Sequence, residues 1–318
     1  MRMRNVTLLA VPAALAAAVG ISMGQTTAPA TPGAAGATRG GGTKIIPPKV
    51  DEEVAGIKPL VMKLWEGKAP GQIDGAPPEW DDGTGRIRGT TEPGILVYLP
   101  PEGKRNGIAI IACPGGGYEH LTRLVGADGV VETYCPQGVA VISLKYRLKP
   151  PSVDVAADAL ADGRRAIRLV RAHAQEWGID PHKIGMIGWS AGGNLILNQL
   201  SHPEGTSDAA PSDPVEKQSS RPDFVGLMSP WPNAKTIDAY PIPKDAPPAF
   251  IGNAEDDRTA PVAFARAIGD AYKTAGARVE MDIVPTGGHG AFEIGTGAAK
   301  DWPEKFTPWL KDIGIWPK

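Results

Sequence analysis

Residues 183–200 read Lys-Ile-Gly-Met-Ile-Gly-Trp-Ser-Ala-Gly-Gly-Asn-Leu-Ile-Leu-Asn-Gln-Leu. The first five predict a short buried strand and the last eight a helix. Between them, Gly188-Trp189-Ser190-Ala191-Gly192 forms one sharp turn of the form G-x-S-x-G. A strand that breaks into a helix over so few residues needs a strained backbone at its apex. Gly188 and Gly192 have no side chain to crowd the elements that meet there. Such a joint commits the chain to a sheet with a helix lying on it, and it lifts the Ser190 hydroxyl clear of the sheet.

The rest of the chain repeats the alternation. Strands are predicted at Gly94–Leu99, Ile108–Cys113, Val139–Leu144, Phe224–Ser229, Pro248–Ala254 and Val279–Val284. Helices are predicted at Val125–Cys135, Val153–Trp177, Pro261–Ala275 (closed by Gly276) and Phe306–Ile313. Ile108-Ala109-Ile110-Ile111-Ala112-Cys113 has no polar position, which fits a strand covered on both faces. In the long helix, Ala156, Leu160, Ile167, Val170 and Ala174 fall at helical spacing. The fold class is therefore α/β, with a mainly parallel twisted sheet and helices on both faces. Glu79–Gly89 reads as a surface approach to the first strand. Two Pro-, Ser- and Asp-rich segments, Pro203–Pro222 and Pro230–Pro247, interrupt the alternation. Both are expected to leave from near the carboxyl ends of strands, where such sheets bind ligands.

The amino terminus has its own grammar. Met1-Arg2-Met3-Arg4 is a short positive region, and Val6–Ile21 is an uncharged apolar run. Ser22 and Gly24 offer small residues at the positions a signal peptidase reads. The run is short for a membrane span. Residues 1–24 are therefore expected to be a signal peptide removed before Gln25, and 25–45 a flexible Ala/Thr/Pro/Gly linker. Residues 46–318 are the expected catalytic domain, and the location secreted or periplasmic. The 318 residues carry a formal net charge of -2 with Lys and Arg spread along the chain. That balance speaks against a nucleic-acid partner and against a membrane partner once the signal is removed. Oligomeric state is not readable. Cys113 and Cys135 are the only cysteines. They read as small buried hydrophobes, with a disulfide as the alternative in an exported chain.

A serine hydroxyl needs a base to become a nucleophile, and the base needs a partner to orient it. Of the five histidines, His173 falls in the long helix, His182 in a helix-to-strand turn, and His202 at the end of the helix after Ser190. His289 lies in Thr286-Gly287-Gly288-His289-Gly290, just after the last strand and on the same sheet edge as Ser190. It is the expected base. The acid is expected after the strand Pro248–Ala254, in Glu255-Asp256-Asp257-Arg258. Asp257 is the choice, because Arg258-Thr259-Ala260-Pro261 fits a turn into a helix, and Asp256 is the runner-up. Pro114-Gly115-Gly116-Gly117-Tyr118 follows the first apolar strand and can turn backbone N–H groups toward a developing oxyanion. Ala191 is one expected donor, and Gly116 or Gly117 the other. Tyr118, Trp189 and Trp231 are candidate substrate-binding residues, with Glu119 and His120 beside them. Trp231 is a possible sugar platform, with a core aromatic as the alternative. Asp162 near Arg164, Arg165 and Arg168 reads as a structural charge network. No metal or cofactor is required.

Cys-Pro-Gly-Gly-Gly-Tyr at 113–118, Leu-Lys-Tyr-Arg-Leu at 144–148 and Trp-Gly-Ile-Asp-Pro at 177–181 carry a resemblance, together with Asp162–Arg171 and Gly-Trp-Ser-Ala-Gly-Gly at 188–193. Over about residues 90–312 the chain resembles bacterial α/β-hydrolases of the acetylxylan-esterase and feruloyl-esterase-like (BD-FAE-like) group. The chain order Ser190, Asp257, His289 is the one such hydrolases use. The resemblance implies a serine esterase that removes acyl groups, often acetyl, from plant polysaccharides such as xylan or from smaller esters. Pro-Gly-Gly-Gly stands where the lipase branch has His-Gly-Gly-Gly, which argues against lipid. The alternatives are a general short-chain carboxylesterase, a prolyl-oligopeptidase-like peptidase, and a hydrolase-like binding protein.

Overall fold

The computed structural model describes residues 52–122, 127–202 and 213–317. The expected signal peptide and linker lie outside the described residues. The strands are β1 (Leu60–Lys63), β2 (Trp80–Asp81), β3 (Ile87–Arg88), β4 (Gly94–Tyr98), β5 (Gly107–Cys113), β6 (Ala140–Lys145), β7 (Ile179–Trp189), β8 (Val225–Met228), β9 (Ala249–Ala254) and β10 (Val279–Val284). The helices are α1 (Asp128–Tyr134), α2 (Val155–Ala172), α3 (Ala191–Ser201), α4 (Val262–Ala275) and α5 (Pro303–Asp312).

Eight strands form one sheet in the order β1-β4-β6-β5-β7-β8-β9-β10. β4 runs antiparallel to both β1 and β6, and every other neighbour pair is parallel. The chain leaves β5 toward β6 and leaves β7 toward β8. The connections therefore diverge between β5 and β7, and a crevice opens at the carboxyl ends of those two strands. Helices cover both faces. α1 and α5 meet through Tyr134 and Phe306, whose rings are 6.3 Å apart. α2 and α3 pack so closely that a Cβ on Gly163 would lie 2.7 Å from Leu195 Cδ2.

Several expectations change. Glu79–Gly89 is not a bare approach but the β2–β3 hairpin. Its turn is built by Asp81 and Asp82 side chains that accept from Gly83, Thr84 and Gly85 N–H groups. The Thr84 hydroxyl, the largest influence on Asp82, helps hold that carboxyl down at about 2. Buried Ile87 exchanges two backbone hydrogen bonds with Leu121 and so braces the chain just past the glycine loop. β1 was unexpected, and β7 starts four residues earlier than the apolar run at 183–187 suggests. His182 therefore sits in a strand rather than in a turn. α2 begins where the Asp154 side chain caps the Ala157 N–H and ends at Ala172, short of Trp177. The predicted helix at Val125–Cys135 contracts to α1, with residues 125–126 outside the described set. α5 starts earlier than expected, with Pro303 in its first turn.

Asp162 is buried, but its partner is not a neighbour on its own helix. Arg147 Nε and Nη2 donate to it at 2.9–3.1 Å, and so does the Arg147 backbone N–H at 2.9 Å. Arg165 and Arg168 reach instead to Asp213 and Glu216. That contact corrects a second expectation. α3 runs back from the carboxyl edge, so the described part of Pro203–Pro222 packs on α2 and not beside Ser190. Pro230–Pro247 does leave from the carboxyl end of β8. Cys113 and Cys135 are free, buried thiols and no disulfide joins them. Burial pushes the Cys135 thiol up to about 12. No helix among the described residues is long and apolar enough to cross a membrane.

Candidate active site

Ser190 occupies the apex between β7 and α3 with φ 52° and ψ −116°. A non-glycine residue held there stores about 1–3 kcal/mol of backbone strain, so the surroundings must impose it. They do so sterically. A Cβ at Gly188 would overlap the backbone of Gly192, and one at Gly192 would overlap the Cys113 carbonyl at the end of β5. Ser190 N–H donates to Met228 O at 3.1 Å, and Trp231 N–H donates to Ser190 O at 3.1 Å. The apex is thus tied to β8 on one side. Ala191 opens α3, where its N–H has no acceptor within the helix and the helix dipole favours negative charge.

The glycine loop after β5 forms the other wall of the crevice. Gly116, Gly117 and Tyr118 have φ of 124°, 62° and 63° in succession. A Cβ on Gly116 would overlap the His120 carbonyl, and one on Gly115 would press on Trp189 O at 3.1 Å and Ser190 Cβ at 3.2 Å. Gly116 O accepts from the N–H groups of Glu119 and His120, and Gly115 O accepts from Thr122. With its carbonyls turned into the loop, this strand end lies directly against Ser190.

His289 and its partner come from the far side of the sheet, after β10 and β9. His289 Nδ1 donates to Asp257 Oδ2 at 2.9 Å, and the Asp257 side chain is fully buried. Asp257 Oδ1 accepts from Thr259 and Ala260 N–H groups at 2.9 and 2.8 Å, which fixes the carboxylate in the turn before α4. Asp256 faces the other way. It accepts from Gly288 N–H at 2.8 Å and Gly287 N–H at 3.3 Å, and so props the loop that carries His289. Between the two aspartates, the one on the imidazole is Asp257.

Two indoles anchor that loop. Trp189 Nε1 and Trp302 Nε1 each donate to Phe292 O at 3.1 Å. Trp189 therefore links the residue before Ser190 to the segment three residues past His289. Its indole N–H is engaged inside the fold rather than offered to a ligand.

Tyr118 departs from expectation more clearly. Its ring is buried and its hydroxyl donates to Asn194 Oδ1 at 3.0 Å, so it supports the glycine loop from beneath and does not line a substrate surface. Trp231 remains half-buried at the crevice, its ring 6.3 Å from that of Tyr118. The other histidines are held elsewhere. His173 stacks on Trp177 and bonds Glu176, and His202 bonds the Asn198 carbonyl. His120 is held below the usual imidazole value by burial and then by the charges of Arg88 and Arg86. Asn194, Tyr240 and the propping role of Asp256 were missed. The readable signal was Asn194 and Asn198, two amides one turn apart in a helix that is mostly apolar. No group of three or more His, Cys, Asp or Glu among the described residues could hold a metal ion.

The chain is similar to several known proteins. The family described as BD-FAE matches residues 95–221. An acetylxylan esterase of Xylanibacter ruminicola is 30% identical over 240 residues, which span 70% of this chain and 48% of that protein. The chain thus covers about half the length of that relative. Carboxylesterase NlhH of Mycobacterium tuberculosis is 30% identical over 236 residues, 64% of this chain and 72% of that protein. Among solved structures, an acetyl ester-xyloside bifunctional hydrolase from Caldicellulosiruptor lactoaceticus matches with a TM-score of 0.63 and 26% identity, covering 81% of this chain and 97% of its own.

Proposed function

The chain belongs to the α/β-hydrolase family of esterases, and on that premise we propose that it is a serine esterase that deacetylates carbohydrates such as acetylated xylan or its oligosaccharides. The observation that carries this reading is the buried Asp257 carboxylate on His289 Nδ1, set on the same sheet edge as a serine at a strained strand-to-helix apex. In this mechanism Asp257 fixes the tautomer that leaves His289 Nε2 free to accept a proton. His289 takes the proton of Ser190 as Oγ attacks the ester carbonyl. The carbonyl oxygen becomes an oxyanion against the N–H groups of Ala191 and of Gly116 or Gly117. The C–O bond to the alcohol breaks, and His289 passes its proton to the departing sugar oxygen. Water, deprotonated by His289, then attacks the acyl-serine and releases the acid and Ser190.

Glycoside cleavage would need two carboxylates flanking the bond. Asp256 and Asp257 are instead engaged by backbone N–H groups and by His289. The likeness to carboxylesterase NlhH supports a second reading, a short-chain esterase of broader alcohol range.

Ser190→Ala is expected to lower kcat by about a million-fold, since nucleophile and base act as a unit. Hydrolysis of p-nitrophenyl acetate near the wild-type rate by that variant would overturn the assignment. Assaying p-nitrophenyl esters from acetate to long acyl chains beside acetylated xylan separates the two readings. Release of acetate from xylan supports the first, and activity confined to the small esters supports the second. We also propose that the chain is exported, so the mature protein begins at Gln25 on amino-terminal sequencing.

A further inference from the structure

We propose that Asn194 is a positioning residue for the reaction, acting through Tyr118 on the glycine loop that binds the oxyanion. The inference rests on the esterase reading above and adds to it a device for holding the oxyanion donors still.

Asn194 is fully buried one turn into α3, and its own N–H donates to Ser190 O at 3.0 Å. Its amide is saturated. Oδ1 accepts from the Tyr118 hydroxyl and from Asn198 Nδ2, both at 3.0 Å. Nδ2 donates to Trp231 O at 3.0 Å and to the Tyr240 hydroxyl at 2.7 Å. Trp231 O can only accept, so the amide cannot sit the other way round. The Tyr240 hydroxyl in turn donates to Pro232 O at 3.1 Å. Donors thus point one way, from Tyr118 through Asn194 and Tyr240 to the segment after β8. One side chain joins three stretches of the crevice: the glycine loop, the helix behind Ser190, and residues 231–240.

The glycine loop has a particular need for this anchor. Tyr118 is a bulky residue at φ 63°, directly after two glycines of positive φ. A side chain crowds the following carbonyl in that region, so the surroundings must hold the residue there. Its ring packs edge-on against Tyr146 at 5.9 Å, and its carbonyl accepts from Lys149 N–H at 2.8 Å. These contacts bury the ring, but the hydroxyl bond to Asn194 is what ties it to the helix that follows Ser190. The separation between the loop N–H groups and Ser190 is thereby fixed before substrate arrives. Donors to an oxyanion act only in the transition state, so loosening them lowers kcat and leaves KM.

Tyr118→Phe keeps the ring and removes only the tie. It is expected to lower kcat on p-nitrophenyl acetate by about tenfold, a fraction of the loss from deleting an oxyanion donor outright. KM is expected to change less than about twofold, because ground-state binding is untouched. A trifluoromethyl ketone forms a serine hemiketal whose oxygen sits where the oxyanion does, so its Ki is expected to rise by the factor that kcat/KM falls. Asn194→Leu is expected to cause a similar loss, and adding Tyr118→Phe to it is expected to cost nothing more. Should Asn194→Leu fail to fold, Tyr118→Phe decides alone. Wild-type kcat and Ki in Tyr118→Phe would overturn the proposal. A kcat loss with unchanged ketone Ki would overturn it too, since that pattern marks a merely structural role. Failure of the esterase reading looks different: Ser190→Ala would then hydrolyse the ester as fast as wild type.

Discussion

The two halves of the candidate site are held by different physics. On the β5–β7 side, exclusion sets the backbone of the apex and the glycine loop, since backbone fills every place where a Cβ at Gly116, Gly188 or Gly192 would go, and the Tyr118–Asn194 bond adds a tie to it. On the β9–β10 side, His289 is positioned by attraction. Asp257 holds its ring, Asp256 holds the loop N–H groups, and two indoles hold Phe292 O. A steric wall fails all at once, whereas a set of hydrogen bonds fails by degrees. The first half is therefore expected to tolerate no side chain at Gly116, Gly188 or Gly192, and the second to show graded losses.

Gly192→Ala tests the steric half and is expected to have the largest effect. The added methyl has nowhere to go but into the Cys113 carbonyl, which is backbone and cannot rotate aside. The cost is expected to exceed about 4 kcal/mol, enough to remove most of the stability of a domain near the lower end of the ordinary range. Soluble, active Gly192→Ala enzyme with an unchanged melting temperature would remove the contrast between the halves. Asp257→Asn comes next. It leaves the geometry but offers the imidazole the wrong tautomer partner, and a loss of about 10⁴ in kcat is expected. Asp256→Asn keeps one acceptor for Gly287 and Gly288, so its loss is expected to be only about five- to tenfold, or about 1 kcal/mol. Measuring kcat for both variants ranks the two carboxylates directly. Equal losses would mean that the loop prop matters as much as the ring partner.

How much of this the sequence discloses follows the same division. The steric half is legible, because strain at a turn demands glycine and glycine is visible: Gly188, Gly192 and Gly115–Gly117 mark both walls of the crevice. β5 and β6 are legible too, since both lie in long apolar runs. The hydrogen-bonded half is only partly so. Asp256 and Asp257 are adjacent carboxylates, and which one meets His289 depends on the direction of the turn before α4. The exception in the steric half is Tyr118, which follows the glycines and so reads as a pocket residue, yet its backbone conformation sends the ring into the core. The strands of the β2–β3 hairpin are only two residues each, and β1 has no buried residue, so none of them leaves a hydrophobic period. The amino-terminal half of β7, Ile179-Asp180-Pro181-His182, is masked by its polar exposed residues.

Trp189→Phe probes the seam between the halves and is expected to have the smallest effect. Phe292 O receives two indole N–H groups, and the substitution removes one. A neutral hydrogen bond contributes about 0.5–1.5 kcal/mol net, and Trp302 still satisfies the carbonyl, so no acceptor is left bare. The Trp189 ring meets Trp302 edge-on at 6.3 Å, and a phenyl ring retains part of that packing. A small fall in melting temperature is expected, with a kcat loss of no more than about fivefold on p-nitrophenyl acetate. Trp302→Phe makes the same subtraction from the other donor and is expected to match it, while the double variant leaves Phe292 O without either N–H and is expected to lose more than the sum. A Trp189→Phe loss approaching that of Asp257→Asn would show instead that the indole reaches the reacting atoms. Trp189 would then belong with the steric half, as part of the crevice wall.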